Sequence, residues 1–496
     1  MKSPLFSKRE DVSGTKSMSG GANAGNTLRR NAVYCAYCAG IILCGIVLGF
    51  VLLLLVELLP KGSMVRHMQE SVSVLAEEGS YPVLSSFRMS TLDNVTDALI
   101  LGSAAYDGEG SLLDTVLLRY RYICSLDGEA LDGLNSLIAY YSGYPGLETS
   151  TGDYPRYWHG YLLYVKPLLC LLNYQQIRTL NTAIQTLLAL AIVFLLWRNY
   201  LDKAIPAYLL IWGILLPPFM GKSLQYSSAY YIFSVAVIVL LLYFKKWVGT
   251  VRFLYFFLII GMATSYFDLL TYPVATVGIP LVFYFLLKCA ACESGDTKES
   301  LTAAKESLIE IVKFSAVWCV GYVFMWAGKW ILANLLTDQD IMTNAYQQIL
   351  FRISHHTRGN YHIPVSMMYA DVIGTFFRNP VTWIALVYIA FLLIWTLRRK
   401  NARLDLMIPL GTVALFPFLW YFMTTNHSII HSWFTCRNLV VTMLGVMCMF
   451  ALTKDKRKKR KGMGKHEKRT GTGYPENPLL GRRNPAAGGG AGRRPL

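Results

Sequence analysis

The sequence predicts an all-α polytopic membrane protein of about ten transmembrane helices, with a long helical first outer loop. Three observations predict it. Of 496 residues, 54% are hydrophobic and 16% are charged, where a soluble domain carries about 25% charge. The charge is uneven: several runs of about 16–25 residues hold one charged residue or none, the length that about 30 Å of hydrocarbon requires. Finally, the Lys/Arg residues fall in alternate connections between these runs, as they do when one side faces the cytoplasm.

The chain opens with a polar, Gly/Ser-rich tail, residues 1–32, which carries 6 Lys/Arg against 2 Asp/Glu. The first apolar run, about 33–58, is too long for a cleaved signal peptide and has no small-residue cleavage site after it, so it reads as an uncleaved anchor. Further spans are expected at about 179–197, 204–220, 227–244, 251–266, 270–287, 309–335, 381–397, 405–423 and 432–453. With the N-terminus inside, the inner connections are RNYLDK (198–203), KKWVGTVR (245–252), 288–308, RRKNAR (398–403) and the tail 454–496. All bear Lys/Arg, and an even number of spans puts both termini in the cytoplasm. This order requires that YWHGYLLYVKPLLCLLNY (157–174) not cross. It holds His159, Lys166 and Pro167 and reads as a helix lying on the outer surface. If it crossed, every later basic connection would lie outside. The domain organisation is then a disordered tail (1–32), a transmembrane domain (33–453) with outer loops 59–178 and 336–380, and a basic disordered tail (454–496).

The net charge of +17 points to lipid rather than to nucleic acid. The last 43 residues carry 14 Lys/Arg against 3 Asp/Glu, so the tails hold most of the excess, where they can touch anionic lipid at the cytoplasmic face of the cell (inner or plasma) membrane. The basic run has no interleaved aromatics and no folded scaffold to read a nucleic acid. Among the ten cysteines, CAYC (Cys35, Cys38) and CAAC (Cys289, Cys292) together resemble a zinc ligand set, but each reads as well as small interfacial residues. Cys124 alone in the long outer loop gives no disulfide framework.

Function is expected at the outer face. Residues 61–157 carry 13 Asp/Glu against 6 Lys/Arg in an otherwise basic protein, and loops this long usually have a use. Seven of the eight histidines fall on that side: His67, His159, His355, His356, His362, His427 and His431. In TLDNVTDALIL, Asp93 and Asp97 are four apart and would share a helix face, as a divalent-metal pair or with one as general base. The same residues also read as an N-cap and a solvated first turn. Asn94 and Asn426 each begin an N-glycosylation sequon. In GDYPRYWHGYLLYVKPLL, Arg156, His159 and Lys166 are interleaved with tyrosines and a tryptophan, either as interfacial anchors or as a grip on a lipid phosphate. Asp268 lies in a short outer turn. His427 and His431, with Asn426 and Arg437 beside them, open the last span. They could hold zinc, with further ligands from HHTRGNYH (355–362), but imidazoles and a guanidinium at the bilayer edge fit a lipid phosphate better, with Arg437 reaching up to the interface.

With these residues in hand, the layout resembles the GT-C class of integral membrane glycosyltransferases: anchor span, long outer loop, surface helices, then many spans. YVKPLLCLLNYQQIRTLN is similar to that class's passage from surface helix to second span, through Lys166, Pro167, Leu168, Arg178 and Leu180, although the second proline of the pattern is missing. NHSIIHSWFTCR is similar to the polar opening of a late span. The resemblance implies transfer of a sugar from a polyprenyl-phosphate donor to a saccharide or lipid acceptor, for cell-envelope glycan or glycolipid assembly. It places a catalytic carboxylate in the first loop, although Asp93 lies further from the first span than is usual there. On this expectation Asp93 is the base, Asp97 and Asp268 support it or share a divalent metal, and Arg156, His159, Lys166, His427, His431 and Arg437 hold the donor phosphate. The rival readings are a transporter, flippase or polymerase of lipid-linked saccharides, and a non-catalytic scaffold for envelope assembly.

Overall fold

A computed structural model of the protein describes residues 20–291, 297–356, 361–399 and 403–451. Among them, eight helical stretches are long and apolar enough to cross a membrane, and the chain is a multi-pass, all-α membrane protein. The tails expected to be disordered lie almost wholly outside the described residues.

The first apolar stretch, Asn31–Glu57, ends helix α1 (Gly20–Glu57). The loop after it is a small folded layer: α2 (Lys61–Glu78), α3 (Asn94–Ala105), α4 (Leu112–Leu118), β1 (Arg121–Leu126), β2 (Glu129–Ala130), α5 (Gly133–Tyr141), β3 (Glu148–Gly152) and α6 (Leu162–Leu171). The strands form one antiparallel sheet in the order β2-β1-β3, with Ser125 opposite both Ala130 and Glu148. This sheet departs from the expectation of helix and broken loop. Its cause is local. Asp127 and Gly128 take φ of 51° and 79°, the two-residue turn that matches strand twist and favours Asp-Gly.

At ten residues, α6 is about 15 Å long, too short to cross. Asn173 then starts α7 (Tyr174–Arg198) with a capping box, its side chain and that of Gln176 each taking the other's backbone N–H. The expected span 204–220 is broken. Helix α8 (Ile205–Ile214) stops because Leu216, at φ 58°, precedes Pro217, whose ring bars the α conformation from its predecessor. The four-residue α9 (Pro217–Met220) follows. Ser223 caps α10 (Leu224–Trp247). Next come α11 (Arg252–Phe267), α12 (Val274–Ala291) and α13 (Thr297–Leu336). Helix α13 starts well before the expected residue 309, because ESLTAAKESLIE is strongly helix-forming although too polar for a membrane. The second loop holds α14 (Ile341–Ile353) and α15 (Val365–Phe377). Helix α16 (Pro380–Arg399) returns, and α17 (Leu404–Ala414) and α18 (Phe416–Met423) make one stretch with a break before Pro417. Two short turns of helix, α19 (Thr425–Ile430) and α20 (Ser432–Thr435), lead through a 3₁₀ turn into α21 (Val440–Ala451).

Two glycines let α11 and α13 cross at backbone distance. A Cβ on Gly261 would stand 2.1 Å from the Trp318 carbonyl oxygen, and one on Gly321 would stand 2.2 Å from that of Leu258. Small residues at such a crossing replace the hydrophobic drive that lipid surroundings remove. The two long loops lie together at one end of the bundle, the loop face, where α1, α11 and α13 end and α7, α10, α12 and α16 begin.

Candidate active site at the loop face

The three expected carboxylates are all buried here, and each has a different job in the fold. Asp97 lies in the first turn of α3 and points at the start of α10. It accepts from the Leu224 amide at 2.9 Å, the Gln225 amide at 3.0 Å and the Tyr174 hydroxyl at 2.5 Å. An anion placed on the free N–H groups of a helix start is favoured by the helix dipole, so Asp97 ties the loop layer to α10 and α7. Asp93 does not share its helix face. It is the N-cap of α3, accepting from the Thr96 amide at 2.9 Å and hydroxyl at 3.0 Å. Burial pushes its carboxyl up to about 6 against those hydrogen bonds, and the Asp97 charge adds to the shift.

Asp268 ends α11 and holds its own turn by accepting from the Thr271 amide at 2.9 Å and the Thr271 hydroxyl. Burial pushes this carboxyl, too, up to about 6 against the turn's hydrogen bonds. Leu270, inside the turn, takes φ 65°, and its carbonyl accepts from His427 Nε2–H at 2.8 Å. His427 Nδ1 in turn accepts from Arg352 at 2.6 Å. Burial and then Arg352 hold the imidazole well below its ordinary value, so it is neutral. Behind the turn, the Gly160 amide donates to the Tyr266 carbonyl at 2.8 Å, a closeness that a Cβ on Gly160 would forbid by standing 2.2 Å from the Tyr266 ring.

The expected phosphate-binding residues form three separate groups. Arg437 does not reach up to the interface. It is 1% exposed, because the last stretch opens with broken helix that turns the side chain inward. Its Cζ lies 4.3 Å from the centre of the Tyr226 ring, its two amino groups donate to the Trp433 and Met89 carbonyls, and its Nε has no partner. No carboxylate pairs with it among the described residues. His431 is close by, its ring 5.0 Å from that of His427 and stacked on Phe434.

Lys166 belongs to a second group. Its Nζ is 2.7 Å from Glu57, at the end of α1, and Glu57 also pairs with Lys61 and, at 3.1 Å, with Arg119. Burial pulls the Lys166 ammonium downward, and the facing charge of Glu57 opposes this. His159, at φ 59°, borders this group; its Nε2–H donates to the Tyr154 carbonyl and its Nδ1 accepts from Tyr161. Burial and the Arg119 charge keep it neutral. Arg156 is in the third group, donating to Asn344 at 3.1 Å and lying over Tyr154.

The expected Arg178 pairs in two-pronged fashion with Glu78, at 2.7 and 2.9 Å, and also bonds Asn94. Asn94 and Asn426 are at most 1% exposed, so neither sequon presents its asparagine in the folded protein. No three His, Cys, Asp or Glu side chains converge as a metal site among the described residues. Cys292 and residues 357–360 lie outside them, and the Cys289 thiol faces Asp405.

A groove of about 700 Å³ runs down the bundle between α10 and α11. Its lining on α10 extends from Ser228 to Trp247, about 28 Å at 1.5 Å per residue. Val235 and Ile259, half exposed, mark its open side. At its loop-face end Tyr164 and Ser228 hydroxyls meet at 3.3 Å. Burial pushes the Tyr164 phenol up against its hydrogen bond with Ser228, and the negative charges of Asp97 and Asp268 add to the shift. No protein family, curated protein or solved structure matches the chain.

Several residues that build the site stood out in no motif: Glu57, Arg119, Tyr174 and Arg352. Glu57, as the single carboxylate closing an apolar run, carried a usable signal. The others are met only through contacts distant in sequence.

Proposed function

We propose that the chain is a membrane glycosyltransferase that moves a sugar from a lipid-phosphate donor to a saccharide or lipid acceptor at the outer face of the cell membrane. The observation that carries this reading is the groove: bilayer-long, apolar, open at the side, and headed at the loop face by the paired hydroxyls of Tyr164 and Ser228. Such a groove suits the hydrocarbon tail of a lipid-linked donor, leaving its phosphate and sugar at the loop face.

In this reading α8 with α9, and α11, complete ten crossings, and the basic connections at the opposite end put that end in the cytoplasm. Asp93 or Asp268, each held near 6, is largely ionised at neutral pH and basic enough to take a proton. The acceptor hydroxyl oxygen bonds to the anomeric carbon, its proton passes to the carboxylate, and the carbon–oxygen bond to phosphate breaks with its electron pair left on the phosphate. Arg437, a buried cation lacking a carboxylate, offsets that charge, with His431 beside it. Asp97 has its oxygens filled by protein donors and serves to position α10.

The test is transfer by the purified protein from polyprenyl-phosphate sugars, with and without EDTA. Asp93→Asn and Asp268→Asn are expected to fold, and at least one to lose transfer. Full activity in both would overturn the assignment. Activity that survives EDTA leaves the proton and phosphate chemistry to side chains, whereas its loss requires a bound metal.

A further inference from the structure

A small cavity lies apart from the groove, between the C-terminal part of α13 and α14. Arg156 and Arg352 both line it, with Tyr157, Trp326 and Trp330. Neither arginine has a carboxylate partner among the described residues; Arg352 gives one N–H to His427 and also meets the Tyr157 hydroxyl, and Arg156 gives one to Asn344. A third arginine, Arg121, shares the Tyr154 ring with Arg156, at 5.9 and 5.1 Å, and donates to the Asp153 carbonyl. The indole N–H of Trp326 is buried and has no partner. Each guanidinium carries five N–H donors and no acceptor, so the cavity is lined with donors and positive charge that no carboxylate among the described residues answers.

The cavity's volume is about 30 Å³, room for about two water-sized groups. That admits two oxygens and excludes a sugar ring. The depth of the site is set by α14. Met342, Tyr346, Leu350 and Ile353 follow at helical spacing and are 45–61% exposed, an apolar stripe of the kind that lies in a bilayer interface. The cavity on the other side of this helix is therefore at headgroup level.

We propose that Arg156, Arg352 and the Trp326 indole form a phosphate-binding site, separate from the donor site, that takes two free oxygens of a phosphate group between the two guanidinia. A phosphodiester headgroup offers two such oxygens, and free phosphate offers the same chemistry. Bound there, the anion draws α14 onto α13 and fixes Arg352, which already holds His427 and, through it, the Asp268 turn.

The experiment is calorimetric titration of the full-length protein in neutral detergent with dihexanoylphosphatidylglycerol and, separately, with inorganic phosphate. Saturable binding is expected, weakened at least tenfold by Arg156→Gln and by Arg352→Gln and unaffected by Arg437→Gln. Arg156 makes only one side-chain hydrogen bond, so its variant keeps the fold, which a thermal melt checks. Binding of the lipid alone names the headgroup as source, and comparable binding of phosphate names the free ion. If neither binds, if Arg156→Gln binds as wild type does, or if Arg437→Gln is the variant that loses binding, the proposal fails.

Discussion

The Tyr174 hydroxyl stands 2.5 Å from Oδ2 of Asp97, and the same carboxylate takes the first two amides of α10. One side chain thus joins three elements: α3 of the loop layer, α7 and α10. This separates Asp97 from Asp93, four residues earlier, which bonds only within its own turn.

The two aspartates therefore respond differently to substitution. Asp97→Ala strands the donors of Tyr174, Leu224 and Gln225, and hydrogen bonds to a charged group are worth about 1.5–3 kcal/mol each. A loss of at least about 3 kcal/mol is expected, seen as early aggregation on heating in detergent. Asp93→Asn costs little stability, because Asn caps a helix about as well as Asp, and its effect should appear in transfer alone. Equal melting of Asp97→Ala and wild type would refute the structural part of this distinction.

Acidity should switch the chemistry near pH 6. Asp93 and Asp268 are raised to about 6 by burial, so each is protonated, and useless as a base, below that value. The pH profile of kcat/KM should climb with slope 1 through about pH 6 and level off above it. Replacing the acting base with Asn should abolish the limb together with the activity, and replacing the other should leave the limb in place. For stability the sign is opposite. A carboxyl whose folded value exceeds its unfolded one favours the fold at low pH, and that contribution is lost as pH rises through about 6.

Composition and hydropathy made the helical, multi-pass architecture legible, since length and apolarity are properties of each segment alone. The break at Leu216 was written locally in the Pro217-Pro218 pair, where apolar content outweighed it, and the hairpin of the first loop was written in Asp127-Gly128, against the helical expectation for that loop. Asp93 as an N-cap was equally legible, from Asp followed three residues later by Thr96. The destination of Arg437 was not. Helical spacing places it near the interface, but the broken geometry of α19 and α20 turns it onto Tyr226, a residue of α10 more than two hundred positions away. The split of the cations into three groups is likewise a tertiary fact: Lys166 is claimed by Glu57, which closes a different helix.

The Glu57 group predicts an asymmetry. One carboxylate serves Lys61, Lys166 and Arg119, and Arg119 is fully buried with Nε and Nη2 unpartnered. Removing the lone anion leaves only cations, and breaking a buried pair costs about 3–5 kcal/mol. Glu57→Gln should therefore destabilise the protein much more than Lys166→Met, which removes one of three cations and fills the space. Thermal melts of the two variants and of the double variant measure the difference, and a larger loss in Lys166→Met would contradict it.

His427 should make the fold sensitive to acid. Its folded value is held well below the ordinary 6.5 by burial and by Arg352, so the unfolded chain binds the extra proton first. The stability it contributes is complete above about pH 6.5 and declines as pH falls below it. Protonation also puts a donor on Nδ1 where Arg352 already donates. A midpoint of thermal unfolding that falls from pH 7 to pH 5, and falls less in His427→Gln, is the expected result. An unchanged slope in the variant would assign the acid sensitivity elsewhere.

The groove offers the sharpest separation between a lipid-donor enzyme and any other use of the same buried carboxylates. Val239 lines it on α10, eleven residues and about three turns of helix from Ser228 at the head. A tryptophan there occupies volume that only a long hydrocarbon tail would need, and it leaves Asp93, Asp268 and Arg437 untouched. Val239→Trp should raise the KM for a long-chain polyprenyl-phosphate sugar by tenfold or more, about 1.4 kcal/mol of lost tail binding. The KM for a short-chain analogue that ends above the block should stay within twofold. A parallel rise for both donors would mean that the substitution had disturbed the head of the site. No change for either would mean that the tail lies elsewhere, and with it the observation on which the transferase reading stands would be lost.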